Sequence, residues 1–223
     1  MEEHIVKILS IHQVTHNVKR FKIEKPPGYT FVPGQATEVA INKAEWKSER
    51  RPFTFTSLNE WDHLEFTIKI YSDHDGVTNQ LGKLKAGDEI LLHDVWGAIQ
   101  YNGEGIFIAG GAGVTPFIAI FRQLQKEKKL GNNTLLFSNK TKKDIILADE
   151  FSAMLGDRFI NTLTDEEVQG YDHHRIDEKY LKQKINNNFD QHFYICGPDA
   201  MVKDIHSILK NVGGEKAIVT VEL

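Results

Sequence analysis

The hydrophobic period of this chain changes near residue 102, and no other feature limits its fold as strongly. Before that point the apolar residues fall in short alternating runs: "HIVKILSIHQV", "VKRFKIEK", "QATEVAIN", "PFTFTSL", "HLEFTIKIY" and "DEILLHDV". In "HLEFTIKI", Leu64, Phe66, Ile68 and Ile70 alternate with polar residues, as one buried face of a sheet requires. Turn signals separate the runs, notably "PPGY", "VPGQ", "DHDG" and "KAGDE". Six short strands with little helix between them predict a small antiparallel barrel.

From Gly105 onward strands and helices alternate: "GIFIAG", "PFIAIFRQLQKEKK", "TLLFSN", "DEFSAML", "RFINTLT", "IDEKYLKQKI", "HFYICG", "PDAMVKDIHSILKNV" and "AIVTVEL". Continuous apolar strands divided by amphipathic helices predict a parallel sheet covered on both faces. The expected organisation is therefore a six-stranded antiparallel barrel over residues 1–102, followed by a parallel α/β domain over 103–223. At 223 residues the chain is long enough for two such cores.

Composition removes several function classes. Cys196 is the only cysteine, which excludes an internal disulfide and a four-thiolate zinc or iron–sulfur site in this chain. A net charge of −4 does not suit nucleic acid as the main partner. The cluster Lys19, Arg20, Lys22 and Lys25 reads as a solvated face, with a docking patch for an acidic protein as the functional alternative. The start "MEEHIVKILS" lacks the pattern of a secretory signal, so a cytoplasmic protein is expected, and no membrane span is predicted. "DHH" at 172–174 lies in a polar stretch read as a loop, without companion ligands at metal spacing, so no metal is expected.

The chemistry concentrates at the ends of strands. "GIFIAGGAGVTPF" sets Gly110, Gly111 and Gly113 directly after an apolar strand and Thr115 and Pro116 before a helix. Thr115 is expected to cap that helix and Pro116 to occupy its first position, so that free N–H groups face the loop and favour a pyrophosphate. The run departs from the G-x-G-x-x-G fingerprint, because Pro116 stands where the third glycine would be. Without other sites, a plain structural turn reads as well as a ligand loop.

Two further strand ends point the same way. In "YICGPDAM" a strand ends in Cys196 and Gly197, and Pro198 opens a helix. Parallel sheets bind ligands outside the carboxyl ends of their strands, and Cys196 is expected to face that crevice. After "TLLFSN", where an NAD site commonly carries an acidic residue, this chain has Ser138, Asn139 and Lys140, with Lys142 and Lys143 close by. That set favours NADPH, with NADH as the alternative.

Taken in order, "VPGQ" (32–35), "RPFTFTS" (51–57), "GVTNQL" (76–81), "GGAGVTP" (110–116) and "CGP" (196–198) resemble the ferredoxin-NADP reductase superfamily, and within it the short bacterial ferredoxin or flavodoxin reductases. The resemblance covers essentially the whole chain. It implies an FAD-binding barrel, FAD rather than FMN, ahead of a pyridine-nucleotide domain. It also implies that Arg51 binds flavin phosphate, with Arg50 the lesser choice, that Phe53 beside Pro52 packs on the flavin ring, and that the Thr54 hydroxyl lies near the reactive N5.

The resemblance further places the backbone of Gly76 and Val77 and the Thr78 hydroxyl on the phosphate. It puts the strand Ile68, Lys69, Ile70 and Tyr71 along the flavin tail, with Tyr71 against an adenine or half-buried in the barrel. Nucleotide would lie across Gly111, Gly113, Thr115, Pro116, Cys196, Gly197 and Pro198. Thr54, Thr115 and Cys196 would tune hydride transfer.

In two places the chain departs from the family pattern. "DVWGAI" keeps only Gly97 of a Gly-Pro-aromatic-Gly motif, and the ending "TVEL" has Glu222 and Leu223 where plant-type members have a stacking aromatic. The implied activity is electron transfer between NADPH, bound FAD and a separate ferredoxin or flavodoxin. The alternatives are an NAD(P)H-dependent flavin reductase or oxygenase reductase component, and a flavin-bearing electron-transfer subunit of a larger complex.

Overall fold

The computed structural model describes residues 3–97, 99–214 and 218–220. Glu222 and Leu223 lie outside the described residues. The first half forms a six-stranded antiparallel sheet from β1 (His4–Thr15), β2 (Val18–Glu24), β3 (Ala36–Ile41), β4 (Arg51–Thr54), β5 (His63–Lys69) and β6 (Glu89–Trp96). Its order is β4-β3-β6-β1-β2-β5. An antiparallel bridge between Phe55 and Phe66 joins the two edge strands and closes the sheet into a barrel.

Alternation explains the barrel core. Leu64, Phe66 and Ile68 point inward to meet Ile8, Phe21, Ile23, Val39 and Leu92. Ile70 follows β5 and is only partly buried against that core. The other face of β5 departs from the expected exposed polar face: Glu65 and Thr67 are 6% and 4% exposed, Glu65 accepting a hydrogen bond from Arg122 of the second half and Thr67 lying against Thr56. β4 ends at Thr54, earlier than the alternation suggested. Phe55 turns into the core and stacks on Phe31, with ring centroids 4.2 Å apart.

Part of "GVTNQL" forms a short helix, α1 (Val77–Leu81), which the strand-like reading of this half did not include. Val77 and Leu81 on it join the barrel core.

The second half contains β7 (Gly105–Gly110), α2 (Thr115–Lys126), β8 (Thr134–Asn139), α3 (Ala148–Leu155), β9 (Phe159–Leu163), β10 (Asp172–His173), α4 (Glu178–Lys184), β11 (His192–Cys196), α5 (Asp199–Asn211) and β12 (Ile218–Thr220). All pairings are parallel, in the order β10-β9-β8-β7-β11-β12. "DHH" is thus not simply a loop. Asp172 and His173 pair with Thr162 and Leu163 as an edge strand.

Alternate residues of these strands enter two cores. Phe107, Ala109, Leu135, Phe137 and Tyr194 pack with α2 and α3, while Ile106, Ile108, Leu136, Phe193 and Ile195 pack with α4 and α5. The barrel residues Val18 and Ile99 belong to the first of these cores, so the two halves share buried apolar surface. Tyr194 also ties down the connection between them: its hydroxyl donates to Gly103 O (2.8 Å) and accepts from Asn102 N (2.8 Å).

No helix among the described residues is long and apolar enough to cross a membrane. The four-residue basic cluster is partly tied to the barrel itself: Lys19 Nζ donates to Gly82 O (2.6 Å), Lys25 to Asn59 O, and Arg20 lies 3.8 Å from Glu65.

Candidate active site

Strand β7 lies between β8 and β11, so the connections leave its end toward opposite faces of the sheet and a crevice opens there. The turns after β7 and β11 line this crevice, and they are pressed together. A Cβ on Gly113 would come within 2.3 Å of Cys196 O, and one on Gly197 within 3.0 Å of Gly110 N. Gly111 differs: its φ is +51° and an added Cβ would meet nothing within 4 Å, so its missing side chain leaves the turn open to the crevice.

The helix after β7 starts differently from the expectation. Residues Gly111–Val114 form a 3-10 turn, and Thr115 is already inside α2, with Val114 as its cap. Thr115 Oγ1 donates back to Ala112 O (3.0 Å) instead of accepting a helix N–H. The tight turn between β7 and β11 supplies this geometry, and a Thr-Pro pair alone does not reveal it.

Barrel and α/β residues meet in a cleft of about 440 Å³. Pro52, Phe53, Thr54, Thr67, Ile68, Lys69, Tyr71 and Thr78 form one wall. Gly110, Gly111, Ala112, Gly113, Thr115, Pro116, Cys196, Gly197, Pro198 and Asp199 form the other. A second cavity of about 550 Å³ shares Lys69, Gly110, Gly111 and Pro198 with the first and extends along Ser138, Asn139, Lys140, Asp144, Thr164, Asp165, Arg175, Ile176, Met201 and Asp204.

Most of the residues singled out from the sequence therefore gather in one crevice. Arg51, Ile70, Gly76 and Val77 are not in either wall. Arg51 is about half exposed, 3.6 Å from Glu49, and its Nη1 donates to Arg50 O (2.6 Å). Arg50 lies 3.5 Å from Glu38. Val77 is buried in the barrel core. Lys142 and Lys143 do not line the second cavity; the Lys142 ammonium sits 5.4 Å from the Tyr171 ring centroid.

Lys69, expected along the flavin tail, stands where the cavities adjoin, its ammonium 5.5 Å from the Tyr71 ring centroid. Several other lining residues had no local signal. Arg175, Asp165 and Asp204 converge only because the sheet brings three distant segments to one edge. The nearest clue was the polar composition of "TDEE" and "DHHR".

Two electrostatic features bear on chemistry. Burial pushes the Cys196 thiol up to about 12, so it remains a neutral thiol and supplies no base near neutral pH. Asn139 is 5% exposed, yet neither its amide nitrogen nor its oxygen has a hydrogen-bond partner. Buried amides are normally paired, so a polar ligand in the second cavity would satisfy it. The open turn at Gly111 and this unpaired amide fit a dinucleotide, while the flat apolar and hydroxyl surface of Phe53, Thr54 and Ile68 fits a flavin ring. No group of side chains among the described residues is arranged to hold a metal.

Comparison with known proteins matches this division of the chain. An oxidoreductase FAD-binding domain matches residues 5–101, and an oxidoreductase NAD-binding domain matches residues 107–207. NADH-cytochrome b5 reductase 1 of Homo sapiens is 26% identical over 252 aligned positions, covering 91% of this chain and 79% of that protein. Methane monooxygenase component C of Methylosinus trichosporium is 26% identical over 160, covering 67% of this chain and 46% of that protein. The chain spans 61% of the Rattus norvegicus and Bos taurus reductases named like the human one, and under half of the methane monooxygenase component.

Among solved structures, a ferredoxin NADP+ reductase from Neisseria gonorrhoeae with bound FAD and NADP superposes with TM-score 0.84 at 21% identity, covering 99% of this chain and 98% of that one. The cytochrome b5 reductase domain of Ulva prolifera nitrate reductase gives 0.82 at 23% identity, covering 100% and 97%. At these identities the likeness speaks for the fold. With both domain families matched in this order, the chain belongs to the oxidoreductases that carry an FAD-binding domain, here the barrel, ahead of an NAD-binding domain, here the α/β half, and it shares the fold of ferredoxin NADP+ reductases.

Proposed function

We propose that this protein moves electrons between NADPH and a separate ferredoxin or flavodoxin by way of a bound FAD. The observation that carries this reading is the shared cleft, in which barrel residues face the glycine turns of β7 and β11 and a second cavity continues past Lys69. We place the division between the two domains at residues 102 and 103.

A bound flavin would supply hydride acceptance and single-electron release, chemistry that no side chain supplies. The chain's own residues bind, orient and exclude water. Phe53 packs on the flavin ring, and Thr54 offers its hydroxyl to the ring edge. Arg51 carries the flavin phosphate with Thr78 and the backbone of Gly76 and Val77. Its exposed pairing with Glu49 is of the kind that contributes little and is readily exchanged. Tyr71 lies toward the flavin tail. Across the cleft Gly111, Gly113, Pro116, Gly197 and Pro198 shape the turns that hold the nucleotide, Thr115 holds the first of them in place, and Cys196 adds a small neutral neighbour. Lys69 supplies positive charge where the two cavities meet.

In the second cavity Ser138, Asn139, Lys140 and Arg175 favour NADPH. A second reading, NADH, draws support from Asp144, Asp165 and Asp204 in the same wall, which oppose a further phosphate. The electron acceptor has one rival too. The methane monooxygenase component among the relatives favours an oxygenase over a ferredoxin.

Anaerobic titration of the purified chain with NADPH and then NADH, read by flavin absorbance, tests the proposal. Retained flavin that bleaches at lower NADPH than NADH concentration is the expected result. A chain without a flavin spectrum even after FAD is added would overturn it, and bleaching by neither nucleotide would leave only the electron-transfer-subunit reading.

A further inference from the structure

One buried cation joins the two halves beside the cleft without lining it. Arg122 on α2 is 9% exposed. Its Nη1 donates to two barrel acceptors, Thr56 O (2.6 Å) and Glu65 Oε1 (2.7 Å). Its Nε and Nη2 donate to the two carboxylate oxygens of Glu150 on α3, at 2.6 and 2.9 Å. The guanidinium carbon lies 5.4 Å from the Trp61 ring centroid. Burial opposes the charged guanidinium, but the Glu150 hydrogen bond and the charges of Glu65 and Glu150 outweigh it and raise its pKa.

A buried ion pair adds little net stability over apolar packing of the same volume. What it does add is direction: the planar fork of arginine accepts partners only at fixed angles. Here the two barrel partners adjoin the strands that build the cleft, Thr56 just past the end of β4 and Glu65 on β5. Thr56 lies two residues after Thr54. Glu65 lies two residues before Thr67, on the same face of β5. Thr56 Oγ1 donates to Glu65 Oε1 (2.9 Å) and lies 3.3 Å from Thr67 Oγ1. At the other end, α2 starts at Thr115 in the glycine turn, and seven residues of helix place Arg122 about 10 Å along it. A single rigid path therefore runs from the nucleotide-facing turn through α2 and Arg122 to the flavin-facing strands.

We infer that Arg122, held by Glu150 and bonded to Glu65, is a positioning residue that sets the separation of the two cofactor-facing walls and so the rate of hydride transfer, while touching neither cofactor. This rests on the reading of the cleft as the hydride-transfer site. A misplacement of about 1 Å is enough to cost on the order of a hundredfold in such a step.

The test uses Arg122→Lys, which keeps the charge and loses the fork. It also uses the double variant Arg122→Met with Glu65→Met, which leaves no unpaired charge on Glu65 and keeps the experiment informative if the single variant misfolds. Spin labels on cysteines introduced at exposed Lys43 and Lys210 report the distance between the halves by double electron–electron resonance, with no cofactor present. Both variants should broaden a distribution that is narrow in the parent. In the FAD-loaded protein, the limiting rate of flavin reduction should fall about tenfold or more. The NADPH concentration giving half that rate should change less than twofold, at unchanged flavin content.

A variant pair with parental distance distributions and rates within twofold, even with a lowered melting temperature, would show a merely structural role and overturn the inference. If the parent itself is not reduced by NADPH or NADH, the reading of the cleft fails, while the distance measurement still decides whether Arg122 fixes the two halves.

Discussion

At Gly113 an added methyl group would come within 2.3 Å of the Cys196 carbonyl oxygen and 2.6 Å of Gly197 Cα, both backbone atoms with nowhere to move. Gly113→Ala should therefore part the ends of β7 and β11, lower stability by about 1–3 kcal/mol in urea unfolding, and weaken nucleotide binding by at least about tenfold. Both effects are measurable on one preparation by denaturation and by NADPH titration. Gly111, two residues away, has open space where its side chain would be. The two glycines look alike in "GGAGVTP", and their different jobs were not legible there, because one is set by the opposing turn and the other by the cavity. Cys196 was expected to face the crevice; it is among the residues that line it, yet it is 2% exposed and belongs to the core packed with α2 and α3. Its pKa, pushed up to about 12, comes from burial, which no local sequence reports.

At the level of elements, periodicity identified the strands of both sheets where apolar runs were long, and missed β10 and α1. Asp172 and His173 carry no apolar period, and their strand exists only because β9 offers an open edge. Asp172 accepts from Tyr180 Oη (2.7 Å) and lies 2.6 Å from Lys184 Nζ on α4, fastening that edge to the helix. Partial burial works against the charged carboxylate, but the hydrogen bonds from Lys184 and Tyr180 outweigh it and hold its pKa below the ordinary aspartate value. A depressed carboxylate stabilises the fold above its unfolded pKa, and that contribution disappears as pH falls through the folded value. Asp172→Asn should accordingly lower the urea midpoint at neutral pH and flatten its decline in acid, the difference between variant and parent shrinking below about pH 4. Helix α2 shows the opposite case. Its residues from Pro116 to Phe121, with Arg122 and Leu124, are buried, because sheet residues, α3 and the barrel residues Val18 and Ile99 share one core with it.

For the whole molecule, Val18 and Ile99 of the barrel lie in the core built by α2 and α3, and buried Glu65 of the barrel accepts from Arg122 of the second half. Joined through a common core, the two halves should unfold together. Far-ultraviolet circular dichroism and the fluorescence of released flavin should give coincident urea transitions, and two separated midpoints would show that the halves are independent. Strand alternation and glycine turns are local properties written in a few adjacent positions, and they sufficed for the fold class, the order of barrel and parallel sheet, and the glycine-turn wall of the cleft, while the barrel wall was implied by the family resemblance. The folded chain alone reveals that Arg175, Asp165 and Asp204 line one cavity, that Asn139 is left unpaired, and that Arg122 bonds to the barrel. Those facts depend on segments far apart in the chain being brought to one sheet edge or one interface, and burial there changes what a charged or polar side chain can do.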